Sequence, residues 1–196
     1  MLYIKISVLV LYMIIHICGS SGSGKTTLGN KLKSKYKNKI VDKDIDDIRT
    51  DFIKEHYGNK KFNIIDKVEY QKYIDNFVNN NLSKPLIFVG LNHMPWWHLH
   101  HYYNMHSTYN YFIELDDITI VKQKCTRLLS GIMKNDMDYL VNNNEKFIKN
   151  VSNAIADECN LKNTIKMNKK WNKYYKKQEY KFMSSDNIYK EIVKLI

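Results

Sequence analysis

Apolar positions in this chain fall into short blocks separated by stretches of helical period, and that alternation sets the expected fold. Residues 13–18, MIIHIC, are apolar apart from His16, and Leu28, Leu32 and Tyr36 then fall on one helical face. Residues 39–42 are a short β-like run ending in the acidic cluster Asp42, Asp44, Asp46 and Asp47, after which the chain to Tyr57 reads as helix. Tyr70, Tyr73, Ile74, Phe77 and Val78 share one face of another helix, which Lys84-Pro85 breaks. Residues 86–89, bounded by Pro85 and Gly90, have the unbroken apolar character of a strand buried on both faces. Residues 109–115 give the next strand. A helix follows with Ile118, Val121, Cys125, Leu128 and Leu129 inward, then another carrying Met137, Leu140, Val141, Ile148, Val151 and Ile155. The lysine-rich residues 162–181, a last strand near 180–183 and a helix with Ile188, Ile192 and Val193 complete the chain. Strands alternating with helices predict an α/β fold with a parallel sheet covered on both faces. No internal repeat or interdomain linker interrupts the pattern, so residues 1–196 read as a single domain.

Between the first strand and the first helix stands GSSGSGKTT, which matches G-x-x-x-x-G-K-[ST] with Gly19, Gly24, Lys25 and Thr26 at the fixed positions. Strand, loop and helix come in the order a phosphate-binding loop requires. Glycines suit that chemistry because backbone N–H groups must turn inward and approach phosphate oxygens closely, in conformations a Cβ would obstruct. Gly19, Ser20, Ser21, Gly22, Ser23, Gly24, Lys25, Thr26 and Thr27 are therefore the candidate nucleotide-binding residues, with Lys25 reaching the β- and γ-phosphates and the Thr26 hydroxyl holding Mg²⁺.

Composition changes this picture in two places. The 196 residues suffice to bury one core without staples, and Cys18, Cys125 and Cys159, odd in number and far apart in sequence, read as reduced thiols of a cytoplasmic protein. The formal net charge of +11 suits ligands that carry phosphates, yet all but two of the 31 basic residues are lysines, a bias that an AT-rich coding sequence would also produce. That scarcity makes Arg49 and Arg127 the informative cations. Asp46-Asp47-Ile48-Arg49 offers a carboxylate to take a proton from an attacking hydroxyl or to hold a metal-bound water, and a guanidinium to grip an anionic acceptor. A helix N-terminus would also favour Asp there. Arg127, one turn beyond Lys124, is placed to match the charge that spreads over a transferring phosphoryl group.

Two segments invite further readings. His93, His98, His100, His101 and His106 crowd around Trp96 and Trp97, but without Cys or a helical His pair backed by a carboxylate they do not read as a metal site. Trp96 or Trp97 is either a stacking wall for a nucleobase or a cover for the sheet edge. The stretch 162–181, interleaved with Trp171, Tyr174, Tyr175 and Tyr180, has the composition of a single-strand nucleic-acid surface, for which the general lysine bias is the competing account.

GSSGSGKTT, the strand ending before DDIR, LIFVGLN and YFIELDDITIVKQKCTRL together resemble the P-loop kinases of the nucleoside/nucleotide kinase superfamily, DDIR and KQKCTR being most similar to the polynucleotide-kinase-like branch. The resemblance covers most of the chain. It implies a P-loop NTPase three-layer αβα sandwich with a five-stranded parallel sheet in 2-3-1-4-5 order, ATP as donor and Mg²⁺ as helper. It also implies Asp46 as base and Arg49 as a contact to the acceptor phosphate, with residues 58–84 as acceptor-binding helices and 123–160 as a lid-like helical region. Two positions depart from the family pattern. Gln123 stands where such lids carry the first of two arginines, Arg127 matching the second. The third strand runs Phe88-Val89-Gly90-Leu91-Asn92 without the Asp that usually orients Mg²⁺, so metal binding falls to Thr26 and to Asp44 or Asp46.

The expected function is thus ATP-dependent phosphoryl transfer to a nucleoside, nucleotide or similar small acceptor. Lys25 and the loop amides cradle ATP, Thr26 and Asp44 serve Mg²⁺, Asp46 acts as base toward a hydroxyl, and Arg127 offsets transition-state charge. Two alternatives stay open: a polynucleotide 5′-hydroxyl kinase, favoured by Asp46-x-x-Arg49 and the basic tail, and a catalytically weak ATP-binding interaction module, favoured by the missing carboxylate and Gln123.

The apolar opening, residues 2–18, is interrupted by Lys5 and His16, is short for a membrane span, lacks a small-residue cleavage site and runs straight into the loop, so no membrane partner is expected. Met13 reads as the functional start, with residues 1–12 an extension or an added strand. Mass spectrometry of the N-terminus of the native protein should find Met13, and an intact Met1 would count against that start.

Overall fold

A computed structural model of the chain describes residues 12–58, 66–94, 101–135 and 144–196. The apolar block before the glycine-rich loop forms strand β1, Ile14–Gly19, buried at every position. The loop leads into helix α1, Lys25–Tyr36, whose inward positions are Leu28, Gly29 and Leu32. The half-buried strand β2, Val41–Asp44, runs directly into α2, Ile45–Tyr57, because the Asp44 carboxylate accepts the N–H of Asp46 and caps the helix. α3 spans Lys67–Asn81 behind an Asp66 cap, and β3, Leu86–Val89, is fully buried as its sequence predicts. A short antiparallel pair follows, β4 (His93–Met94) with β5 (His101–Tyr102). The remaining elements are β6 (Tyr109–Ile113), α4 (Asp117–Asn135), α5 (Asn144–Glu158), α6 (Leu161–Lys177), β7 (Lys181–Met183) and α7 (Ser185–Leu195).

The architecture is α/β, with five parallel strands in the order β2-β3-β1-β6-β7 and helices flanking the sheet. β2 pairs with β3 from Val41↔Leu86 to Asp44↔Val89, and β6 pairs with β7 from Tyr111↔Lys181 to Ile113↔Met183. The described residues form two compact units, one taking the chain up to His16 and Lys33–Tyr109, the other Ile17–Leu32 and Asn110–Ile196.

The first unit packs α2 and α3 on one core. Ile45, Ile48, Phe52, Tyr70, Ile74 and Val78 meet Leu86, Phe88 and Tyr103, with the Tyr70 and Tyr103 rings edge to face. The second unit buries Ile17, Leu28 and Leu32 along with Tyr111, Phe112, Trp171, Tyr175, Ile188 and Ile192. Phe112 stacks on Phe182 and lies against Tyr175.

Several expectations need correcting. β2 runs to Asp44 rather than ending at Asp42, because the capping carboxylate belongs to the last strand residue, and β6 ends at Ile113 rather than Leu115. Ile120, 1% exposed, is the inward residue at the start of α4, while Ile118 at 58% and Leu129 at 49% face outward, as do Ile148 and Ile155 of α5. Helical period alone ranked those positions, and it does not say which side a neighbouring element covers. Cys125 and Cys159, 34 residues apart, are joined in a disulfide because α4 and α5 pack together, so the reduced-thiol expectation keeps only the buried Cys18. No helix among the described residues is long and apolar enough to cross a membrane. Met137, Leu140 and Val141, like Trp96, Trp97, His98 and His100, lie outside the described residues.

One buried group makes this fold sensitive to pH. His16 lies fully inside β1, its Nε2–H donating to the Gly90 carbonyl at 3.0 Å, and burial pulls its pKa down to about 4 against the weaker, opposing effect of that hydrogen bond. The unfolded imidazole, with its ordinary value of about 6.5, takes up a proton that the folded one refuses, so stability is complete above that value and drains away as pH falls toward about 4. Urea denaturation should show the wild type losing about 2 kcal/mol more than His16→Gln between about pH 7 and pH 5. Equal losses in the two proteins would contradict it.

Candidate functional site

The loop between β1 and α1 is shaped by residues that only small side chains satisfy. The Ser23 N–H donates to the Ser20 carbonyl at 3.0 Å, closing a turn, and the Leu28 N–H reaches the Gly24 carbonyl at 3.0 Å to begin the helix. Gly22 and Gly24 adopt φ of 81° and 84°, the left-handed region that a Cβ disfavours. A Cβ at Gly22 would also lie 2.7 Å from the Lys124 side chain and 3.1 Å from the Ile120 carbonyl, so α4 approaches the loop backbone more closely than any other residue would allow. At Gly24 nothing lies within 4 Å of where a side chain would begin.

Lys25 folds back over this turn. Its ammonium donates to the Gly19 and Ser20 carbonyls, each at 2.8 Å. Arg127 of α4 comes to the same loop, its guanidinium donating to the Ser21 hydroxyl at 3.4 Å, and Lys124 lies against Gly22 one turn earlier. Thr26 and Thr27 are exposed at the start of α1, while Ser20 and Ser23 are buried. Ser23 Oγ has no hydrogen-bond partner.

The residue that sequence reasoning missed is Asn168. It sits on the buried face of α6, where its side-chain oxygen accepts from the Ser20 hydroxyl and its NH₂ donates to Asp117 Oδ1 at 2.6 Å. A loop hydroxyl, a buried amide and the first residue of α4 thus form one chain of hydrogen bonds. The signal was present in the helix's inward row, Thr164, Asn168, Trp171 and Tyr175, where two polar residues interrupt an aromatic face.

The second group of candidates belongs to the first unit and is described by itself. Asp44 caps α2 at 2.9 Å from the Asp46 N–H, and its Oδ1 stands 3.4 Å from where a Cβ at Gly90 would be. Asp46 accepts from the Arg49 guanidinium, an ion pair between neighbouring helix turns. The carboxylate is 72% exposed and the guanidinium 18%. Tyr70 and Tyr103 lie within the field of Arg49, which lowers their pKa values, but burial outweighs it and raises both, Tyr103 to about 12. Burial likewise raises Asp42, whose Oδ1 is buried without a partner. Asn92, just before β4, donates its side-chain N–H to the Tyr103 carbonyl at 2.7 Å and anchors the β4–β5 pair, a structural task. His106 pairs with Asp75 at 2.8 Å, and among the described residues no three His, Cys, Asp or Glu gather as a metal site.

The structure therefore brings the loop, Lys25 and Arg127 together in one unit and Asp44, Asp46 and Arg49 together in the other. Compared with protein-family models and with curated proteins, the chain matches none.

The two loop glycines make a controlled test. Both Gly22→Ala and Gly24→Ala incur the left-handed backbone strain, about 1–3 kcal/mol, but only the first also collides with α4. Denaturant titration should find Gly22→Ala less stable than Gly24→Ala by a further 1 kcal/mol or so, about the cost of overpacking. Equal destabilisation would mean that α4 does not press on the loop.

Proposed function

We propose that this protein is an ATP-dependent phosphotransferase of the P-loop kinase kind, moving the γ-phosphoryl group of ATP to a nucleoside, nucleotide or similar small acceptor with Mg²⁺ as helper. The observation that carries the reading is the loop itself: a glycine-rich turn between a buried strand and a helix, with two left-handed glycines and a lysine folded over its carbonyls. The strand order β2-β3-β1-β6-β7 agrees with the kinase-type P-loop sandwich.

The residues present suit a triphosphate. The buried, unpartnered Ser23 Oγ and the open space before Gly24 are what an anion-binding turn requires. For Mg²⁺ the exposed Thr26 supplies a hydroxyl at the start of α1, which serves because this ion keeps several waters, and the other unit offers the Asp44 carboxylate as a candidate ligand of its own. When bound, ATP supplies the phosphoryl group and Mg²⁺ neutralises part of its charge. The chain's own work is to bind, orient and exchange partners. Lys25 leaves the Gly19 and Ser20 carbonyls for phosphate oxygens, Arg127 leaves Ser21 to meet the charge that spreads in the transition state, and Asn168 keeps Ser20 and the turn in place. Asp46, paired with Arg49, receives the proton of an acceptor hydroxyl, and Arg49 holds an acidic acceptor group.

A second reading, an ATP-binding module with little turnover, is favoured by one observation: the Asp44 carboxylate is already engaged in capping α2. Activity separates the two. γ-Labelled ATP offered with nucleosides, nucleoside monophosphates and 5′-hydroxyl oligonucleotides should give a labelled product. Lys25→Ala should weaken ATP binding about 10–100-fold, the worth of hydrogen bonds to a charged group. Arg127→Ala should slow turnover by about 10³–10⁵ while leaving ATP bound. ATP binding without product across the whole panel selects the module, and unchanged ATP affinity in Lys25→Ala overturns both.

A further inference from the structure

We infer that the outer face of α6 is a docking surface for the phosphate backbone of a nucleic acid. Of the seventeen residues of Leu161–Lys177, seven are lysine and none is acidic. At about 100° per residue, Lys162, Lys166, Lys169, Lys173 and Lys176 form one stripe, flanked by Lys170 and Lys177, inside an arc of about 120° that holds no other residue type. All seven are exposed. The opposite arc carries Thr164, Asn168, Trp171 and Tyr175, all buried.

Three features point to a polyanion. Among the described residues, the five stripe lysines make no ion pair with a carboxylate, unlike Lys31, Lys43 and Lys181, which pair with Asp186, Asp51 and Glu191. Like charges one helical turn apart repel, so the stripe strains α6 until an anion of matching spacing covers it. The stripe is about 21 Å long at 1.5 Å per residue, the length of about six phosphates along one strand. Trp171 and Tyr175 turn inward and cannot stack on bases, while Tyr174 and Tyr180 are half-buried, so the lysines rather than an aromatic row carry the surface. A lipid surface fits less well. A helix lying on a membrane inserts its apolar face, and the apolar face of α6 is already buried within the protein.

This inference stands apart from phosphoryl transfer and does not require it. Fluorescence anisotropy of the full chain with labelled 20-residue oligonucleotides, single-stranded and duplex, DNA and RNA, tests it between 50 and 200 mM KCl. Five phosphate contacts predict a log–log salt slope of about −4.5 on duplex and about −3.5 on single strands. The variant K166E/K169E/K173E should bind at least about 100-fold more weakly, and K166Q/K169Q/K173Q should reduce the duplex slope by about 3. The exposed control set K54E/K84E/K190E should retain most of the affinity. ATP affinity should be unchanged in all three, which separates this result from any failure of the loop reading. Equal losses in the control set would reduce the effect to net charge. No binding at 50 mM, or lysine-dependent capture by phosphatidylserine vesicles with none by nucleic acid, would overturn the proposal.

Discussion

A single buried amide holds the glycine-rich loop in place. A turn built from glycine and serine has no core of its own, so its shape must come from neighbours, and here Asn168 supplies it from 148 positions along the chain from Ser20. The amide is suited to this because it accepts and donates at once, taking the Ser20 hydroxyl on its oxygen and giving its NH₂ to Asp117. Such hydrogen bonds are strong in a buried setting and costly to leave half made. The close approach of α4 at Gly22 acts from another side, so the conformation of the turn is set by helices rather than by its own preferences.

The charged groups of both candidate clusters share a second trait: each has an internal partner. Lys25 rests on loop carbonyls, Arg127 on Ser21, Arg49 on Asp46, and Asp44 on the Asp46 amide of α2. For the half-buried Lys25, Asp44 and Arg49 an uncompensated charge would be expensive and these pairings avoid that cost, whereas Arg127 and Asp46 stay in contact with water. A ligand then competes for partners instead of creating them. Binding measured for such groups is therefore a difference between two sets of contacts, smaller than either set alone.

Much of the sheet was legible in the sequence. Residues 86–89 are apolar without interruption and form β3 with those bounds, and the apolar run through Ile17 forms β1. Buried strands advertise themselves because both faces must be apolar. Edges and packing partners do not. β2 is half-buried and its end was misplaced by two residues, since the capping role of Asp44 depends on where a helix starts. The β4–β5 pair is too short for any alternation to reveal it. The inward faces of α4 and α5, and the meeting of Cys125 with Cys159, depend on which helices lie side by side. The loop motif was plain from its residues, whereas Asn168 was not, because one buried polar position in a lysine-rich helix looks like any other asparagine.

The central claim is that the backbone amides from Gly22 to Thr26 receive the phosphates of ATP. Amide NMR of the labelled protein tests it directly, by adding a non-hydrolysable ATP analogue with Mg²⁺. The account predicts that the resonances of Gly22, Ser23, Gly24, Lys25 and Thr26 move more than any others. Saturation of the protein with the analogue while these five stay unmoved would contradict it.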